Sequence, residues 1–97
     1  MIPGLASRLS ETIVASTTTI GPILTDAILV SGSTAIATIL PPQQGGFSGM
    51  LIIVPTDHTV ATVTTGNIAI AVTMAQNQVN VLYYSQLNNK WYPGAIS

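Results

Sequence analysis

The chain has no cysteine and very little charge. Only five of its 97 residues are formally charged, and these are Arg8, Glu11, Asp26, Asp57 and Lys90. Without cysteine there are no disulfides, thiolate metal sites or cysteine nucleophiles. A soluble domain is usually about 25% charged, whereas this chain is 5% charged and 47% hydrophobic. Because a small domain on its own needs charge for solubility and a sizeable core for stability, this composition favours a subunit of a larger protein assembly.

The same scarcity of charge excludes several classes of partner. The net charge is −1, and the two basic residues are far apart in the sequence, so there is no cluster to bind nucleic acid or an anionic membrane surface. The longest strongly apolar run, Met50–Val54, ends at Pro55, whereas a membrane helix needs about 20 apolar residues. Met1–Leu9 lacks the pattern of a signal peptide. We therefore expect synthesis in the cytoplasm, with no membrane or nucleic-acid partner.

Thr, Val and Ile dominate the chain, and turn residues recur at short intervals. This pattern predicts an all-β fold, a small antiparallel β-sandwich or jelly-roll-like domain over residues 12–97. Ser31-Gly32-Ser33 predicts a tight hairpin between the second and third strands. The predicted strands are Thr12–Thr18, Ala27–Val30, Ala35–Ile39, Gly49–Val54, Thr59–Thr64, Ile68–Met74, Val79–Tyr84 and Lys90–Tyr92.

Three segments carry further structural signals. Residues 1–11 predict an N-terminal arm, either a short helix or an extended anchor, because Leu5 and Leu9 are four residues apart. Met50–Val54 shows no alternation, which indicates a central strand or a subunit contact. Ile68–Met74 alternates large and small side chains, so Ala69, Ala71 and Thr73 would form a small neutral face for packing against another subunit.

The chain offers few groups for catalysis. The single histidine, His58, follows Asp57 in a predicted turn, and we expect the two side chains to diverge rather than form an oriented general base. Asp26 and Asp57 are candidates for a glycosidase pair, but turn residues or hydrogen-bond acceptors are the simpler interpretation. A metal site needs several convergent ligands. The sequence therefore predicts a protein that is not an enzyme and has no cofactor.

Aromatic residues cluster near the C-terminus, and this cluster has two interpretations. Tyr84, Trp91 and Tyr92 could form a ligand platform for carbohydrate, because aromatic faces give a large rigid contact area. Alternatively, Tyr83 or Tyr84 pairs across a hairpin with Trp91 or Tyr92, and Asn88-Asn89 forms the turn.

Several short stretches in the last two-thirds of the chain form a pattern, and they are Pro41-Pro42, Gly46-Phe47-Ser48-Gly49, Leu51–Pro55, Gly66-Asn67-Ile68-Ala69, Val79-Asn80-Val81-Leu82-Tyr83-Tyr84 and Asn89-Lys90-Trp91-Tyr92-Pro93. Together they resemble a pattern common in virion proteins of tailed bacteriophages. The final turn, Gln86-Leu87-Asn88-Asn89, departs from the Asp-Gly that such chains often have, although Asn tolerates the same left-handed geometry.

The resemblance implies a β-structured appendage on the outer surface of a virion, often a homotrimer. A capsid decoration (cement) subunit that binds the major capsid protein is the expected function. A tail-fibre or head-fibre module that binds a receptor or carbohydrate is the alternative. In the first case the arm would contact the shell through Met1, Ile2, Pro3, Leu5, Arg8 and Leu9. A small hydrolase using His58 and a self-polymerising β fibre remain as further hypotheses.

Overall fold

Nine strands and no helix make up the part of the chain that the structure describes. In this computed structural model the described residues are 10–42 and 48–94. The strands are β1 Glu11–Ala15, β2 Thr19–Ile20, β3 Ala27–Ser31, β4 Thr38–Ile39, β5 Gly49–Pro55, β6 Val60–Ala61, β7 Thr73–Met74, β8 Asn80–Ser85 and β9 Lys90–Pro93. The predicted all-β class is therefore confirmed.

The five longest strands form one mixed sheet in the order β1-β3-β5-β8-β9. The pairs β1–β3 and β3–β5 are parallel, while β5–β8 and β8–β9 are antiparallel. Two small sheets complete the fold, a parallel β2–β4 pair and an antiparallel β6–β7 pair. The prediction of purely antiparallel pairing is therefore wrong. Local turn signals mark where strands end, but they do not reveal which distant strand becomes the neighbour.

The chain winds back and forth between the large sheet and the β2–β4 pair. Parallel neighbours require a crossover connection, which is usually helical, but here the crossovers run through β2 and β4. Thr19 of β2 pairs in parallel register with Thr38 of β4. The predicted hairpin at Ser31-Gly32-Ser33 is consequently wrong. Gly32 does turn the chain at a φ of 82°, but the turn leads out of the large sheet and towards the second one.

The predicted strand Ile68–Met74 is also wrong over most of its length. Only Thr73 and Met74 are in a strand, and Ile68 makes an isolated parallel bridge to Trp91. Ile68 and Met74 are buried, whereas Ile70 is 57% exposed, so the segment does not keep one face towards the core. The alternation in sequence is real, but the backbone does not remain extended long enough to use it.

The core lies between the inner face of the five-stranded sheet and the small sheets. Along β5 the side chains alternate, and Leu51, Ile53 and Pro55 point inwards while Ile52 and Val54 are only half-buried. Residues that pair between neighbouring strands point to the same side, so the inward side of β5 continues into β3, β8 and β9. Its buried members are Ile28, Val30, Leu51, Ile53, Leu82, Tyr84 and Trp91, and they cluster with Ile20, Ile36, Ile39, Val60, Ile68 and Met74.

One polar side chain holds the small β2–β4 sheet against the β9 end of the large sheet. The Asn67 side chain accepts a hydrogen bond from the Ile39 N–H (2.9 Å) and donates one to the Ile39 carbonyl (2.8 Å). The Trp91 indole Nε1–H donates to that same carbonyl at 2.8 Å. A Cβ on the preceding Gly66 would clash with the Ala37 carbonyl oxygen. The Gly66-Asn67 pair thus permits a close approach to β4 and satisfies its backbone.

We predict that Asn67→Ala lowers the free energy of unfolding by about 1–3 kcal/mol, because it leaves the Ile39 N–H without its partner in a largely buried place. Urea denaturation followed by the fluorescence of buried Trp91 measures this change. Asn88→Ala is the matched control, since Asn88 is exposed and its Nδ2 donates only to the Tyr92 hydroxyl. Equal stability of the two variants would contradict the assigned role of Asn67.

Candidate interaction surface

The side of the five-stranded sheet that faces away from the core is also apolar. Because successive side chains of a strand point to opposite faces, the register assigns every second residue to this side. On this side, the apolar residues that pair between neighbouring strands line up in three rows, and each row runs across the sheet. We call this surface the outer face, and its apolar members are Ile13, Leu29, Met50, Ile52, Val54, Val81, Tyr83 and Tyr92.

The outer face exposes large apolar side chains, which a folded protein normally covers. Ile13 is 75% exposed, Met50 65% and Tyr83 43%, while the other five members are partly exposed. Parallel strands are usually buried on both faces, yet β1 and β3 carry apolar side chains on a side where they remain accessible. From strand spacing and rise, the surface measures about 20 Å by about 20 Å, or roughly 400 Å² in projection. The largest apolar patch on a monomer is typically about 300–600 Å² and is often functional, which makes this surface a candidate interaction site.

Charge is confined to the two margins of the outer face. Glu11 lies on β1, which is one edge strand, and Lys90 lies on β9, which is the other. Both are exposed, and their register places them on the outward side. Between these edges, the outward positions are apolar or carry small polar side chains such as Ser31 and Ser85. A neutral centre with a charged rim is the usual anatomy of a protein–protein interface.

The two edges of the sheet differ in their backbone partners. At β9 the Trp91 N–H donates to the Asn67 carbonyl, and the Ala69 N–H donates to the Trp91 carbonyl, both at 2.8 Å. This edge is therefore capped by the chain itself. β1 pairs only with β3 among the described strands. Its edge has neither proline nor lysine, the residues that usually discourage pairing with another chain.

The predicted ligand platform of Tyr84, Trp91 and Tyr92 is wrong. Trp91 is fully buried and Tyr84 is 6% exposed, so neither ring can present a face to a sugar. Their ring centroids are 5.0 Å apart at a tilt of 54°, and they pair directly across β8 and β9. The alternative prediction of cross-strand aromatic pairs is confirmed, and Asn89 turns the chain at a φ of 57°.

Tyr83 and Tyr92 form a second cross-strand pair, and this one lies on the outer face. Tyr83 is 43% exposed, and Tyr92 is partly exposed with its hydroxyl accepting a hydrogen bond from Asn88 at 2.7 Å. The sequence contained the cluster but could not distinguish the inward from the outward pair. Knowing the β8–β9 register is sufficient to do so, because the two faces alternate strictly.

Asp57 and His58 do pair, contrary to the expectation that their side chains diverge. His58 Nδ1 lies 3.0 Å from Asp57 Oδ1, and the Gly32 N–H donates to the same oxygen at 2.8 Å. The hydrogen bond from His58, followed by the one from Gly32, lowers the pKa of Asp57 below its usual range. Both side chains are more than half exposed. The carboxylate thus ties the turn after β5 to the turn after β3.

Asp26 serves as a hydrogen-bond acceptor at the start of β3. Its Oδ2 accepts from the Ser10 N–H at 3.2 Å and from the Ser10 hydroxyl at 3.1 Å. Ser10 and Glu11, the last residues of the predicted arm, therefore belong to the β domain. Asp26 and Asp57 are each engaged by different partners at different strand ends, as expected if they act as structural acceptors.

The remaining predicted contact residues fall into two groups. Of the proposed subunit-packing residues, Ala69 is half-buried while Ala71 and Thr73 are exposed. They do not share one strand face, because the strand that would align them is absent. The predicted shell-contact residues lie outside the described residues, and they are Met1, Ile2, Pro3, Leu5, Arg8 and Leu9.

No family model, curated protein or solved structure matches this chain. Among residues 10–42 and 48–94, no group of three or more His, Asp or Glu side chains is placed to hold a metal ion. The same residues include no helix with the length and apolarity to cross a membrane. The outer face is therefore the candidate site that carries a functional argument.

Only one strand of the outer face is indicated by a local pattern in the sequence. The unalternating run Met50–Val54 indicated a central strand or a subunit contact, and β5 is central with its outward side apolar. Ile13, Leu29 and Val81 lie in strands where no local pattern indicates a contact surface. Placing them on one face requires the parallel register, which the sequence does not encode locally.

We predict that Asp57 contributes stability that is present above about pH 4 and is lost as the pH falls further. A carboxylate with a lowered native pKa binds fewer protons than it does in the unfolded chain, whose Asp pKa is about 3.9. Urea titrations from pH 2 to 6 should therefore show a steeper acid loss for the wild type than for Asp57→Asn.

His58→Ala is the companion variant, because it removes the hydrogen bond that lowers the Asp57 pKa most. Its acid loss should lie between those of the wild type and Asp57→Asn. Superimposable pH profiles for all three proteins would show that the Asp57–His58–Gly32 contact does not contribute to stability.

Proposed function

We propose that this protein is a virion structural protein, a capsid decoration subunit that acts by binding rather than by catalysis. The observation that carries the binding role is the outer face, an apolar sheet surface with charge only at its two edges. The virion setting comes from the resemblance of the sequence. In this proposal the residues before Ser10 contact the major capsid protein, and the outer face contacts other copies of the chain.

The arrangement fits a subunit whose stability depends on its neighbours. A chain of this size buries a modest fraction of its surface alone, and partners that bind only the folded form raise its stability by mass action. In the proposal the five-stranded sheet and the small sheets pack as a sandwich-like domain, with an N-terminal arm ahead of it. The homotrimer implied by the resemblance remains a prediction, as does a location on the outer surface of the capsid.

A receptor- or carbohydrate-binding module is the second candidate, and a specific observation favours it. The outward pair Tyr83 and Tyr92 offers aromatic surface beside Met50. This pair replaces the buried Tyr84 and Trp91 as the only described aromatic pair that a sugar could reach. Tyr83→Ala should abolish glycan binding under this candidate and leave the fold intact, because Tyr83 is outside the core. A wild-type protein that binds no glycan on an array rejects it.

The decoration proposal predicts that the chain is present in many copies on purified phage particles whose genome encodes it. Particles made without it should lose their shells at a lower temperature, which differential scanning calorimetry measures. Adding back the full chain should restore the transition. A chain that lacks residues 1–9 should keep the fold, reported by buried Trp91, but should not restore it.

Two results would reject the proposal. Particles that contain no copies of the chain would remove the virion setting, and unchanged thermal stability without the chain would remove the stabilising role. Leu87→Lys is the control for a surface change outside residues 1–9, because Leu87 is 88% exposed at the tip of the β8–β9 turn. This variant should restore the transition as the wild type does.

A further inference from the structure

We propose that a second copy of this chain covers the outer face, by packing sheet against sheet around a twofold axis that runs along β5. The inference rests on the proposed function in one respect, since both take the outer face as a contact between copies. It goes further by specifying two chains, a symmetry and the residues at the centre. Ile52 and Val54 of the two copies lie at this centre, and the β1 and β9 edges form the rim.

The composition of the outer face favours the outer face of a second copy as the surface that covers it. Its centre has neither a charge nor a long polar side chain among the outward residues of β3, β5 and β8. A partner must therefore be apolar and uncharged where it touches the centre. The outer face itself has those properties, and an isologous twofold contact needs only a self-complementary patch. Two sheets packed about 10 Å apart would bury both faces, as in a sandwich.

The charges at the margins select the direction of the axis. With the axis along the strands, the β1 edge of each copy lies over the β9 edge of the other, so the edge with Glu11 faces the edge with Lys90. With the axis across the strands, β1 lies over β1, and Glu11 faces the same residue of its partner. Like charges placed opposite one another oppose association. The first arrangement avoids this contact at the β1 margin and is therefore favoured.

The β9 edge argues against a ring built by edge pairing. A cyclic trimer with continuous sheets would pair the β1 edge of one chain with the β9 edge of the next. The backbone of Trp91 is already bonded to Asn67 and Ala69 on that side, so this edge has no free ladder at its middle. Face-to-face packing needs no free edge. The structure thus argues against a trimer closed by edge pairing and leaves face-to-face packing possible.

The size of the face sets the strength of the contact. Each copy contributes roughly 400 Å² in projection, or about 800 Å² for the pair, which is the size of a weak, transient contact and is less than the roughly 1,200–2,000 Å² of a stable interface. We therefore expect a dissociation constant of about 1–100 µM. Such a dimer is measurable in solution with the full chain, without any other component of a particle.

Analytical ultracentrifugation of the full chain from 2 to about 500 µM, a range set by that expected affinity, tests the proposal. The wild type should pass from monomer to dimer over this range. Val54→Lys should raise the dissociation constant at least 100-fold, because it buries an unpaired charge at the centre of the contact. Leu87→Lys adds the same charge outside the face and should leave the constant unchanged. Val54→Thr, which keeps the shape, should weaken the dimer about 10-fold and covers the case in which the lysine variant does not fold.

The absence of native cysteine allows a clean test of the axis. Glu11→Cys and Lys90→Cys chains are mixed and treated with a long flexible bis-maleimide. The axis along β5 predicts that mixed Glu11–Lys90 pairs cross-link faster than pairs of two Glu11→Cys chains. Faster cross-linking between two Glu11→Cys chains would overturn the assigned axis.

Three results would overturn the dimer itself. These are a monomer throughout the concentration range, a discrete trimer, and a dimer that Val54→Lys and Val54→Thr leave intact. A monomer would show that a second copy does not cover the face. None of these results depends on capsids, and a decoration protein that binds its shell as a monomer would give the first of them. Failure of this inference is therefore distinguishable from failure of the proposed function.

Discussion

Parallel pairing of β1, β3 and β5 is the constraint on which the rest of the structure depends. Each of these strands runs in the same direction as the one before it, so the chain must return across a second layer before the next strand can begin. The returning segments contain β2 and β4, whose Ile20 and Ile39 complete the core. Because the return path supplies the cover for the inner face, the described residues leave the opposite face exposed. The fold and its candidate interaction surface therefore have one cause.

Hydrogen bonds within the core fix the position of the second layer. Apolar contacts alone would hold the β2–β4 pair against the sheet without specifying its register. Asn67 and Trp91 direct their side chains to one residue of β4, and the Ile39 N–H donates to Asn67 while the Ile39 carbonyl accepts from both Asn67 and Trp91. Buried polar groups that are fully satisfied specify a single arrangement. Among the described residues, no buried side-chain nitrogen or oxygen lacks a partner, so this specificity carries no uncompensated cost.

Local features of the fold could be predicted from the sequence, whereas long-range ones could not. Propensity and turn residues located β1, β3, β5, β8 and β9, and the C-terminal aromatic hairpin was among the predicted alternatives. The parallel pairing, the failed hairpin at Gly32 and the irregular path through Ile70 depend on contacts between distant segments. The candidate surface belongs to the second kind, because its rows combine Ile13, Leu29 and Val54 from three strands. Within this surface, only the run Met50–Val54 is indicated by a local pattern. The burial of Trp91 also depends on contacts between distant segments and could not be predicted from the sequence.

The bond from Trp91 to Ile39 joins residues 52 positions apart in the chain, and this separation has a consequence for how the protein is made. Contacts between distant segments form late and slowly, because the intervening loop must first be closed. While the ribosome is still adding residues before Trp91, neither the core nor the last two strands of the sheet can be complete. Newly made chains therefore mature only after synthesis of this hairpin, and unfinished molecules lack the complete surface that a second copy would recognise. Both the core and the outer face therefore depend on completion of the β8–β9 hairpin.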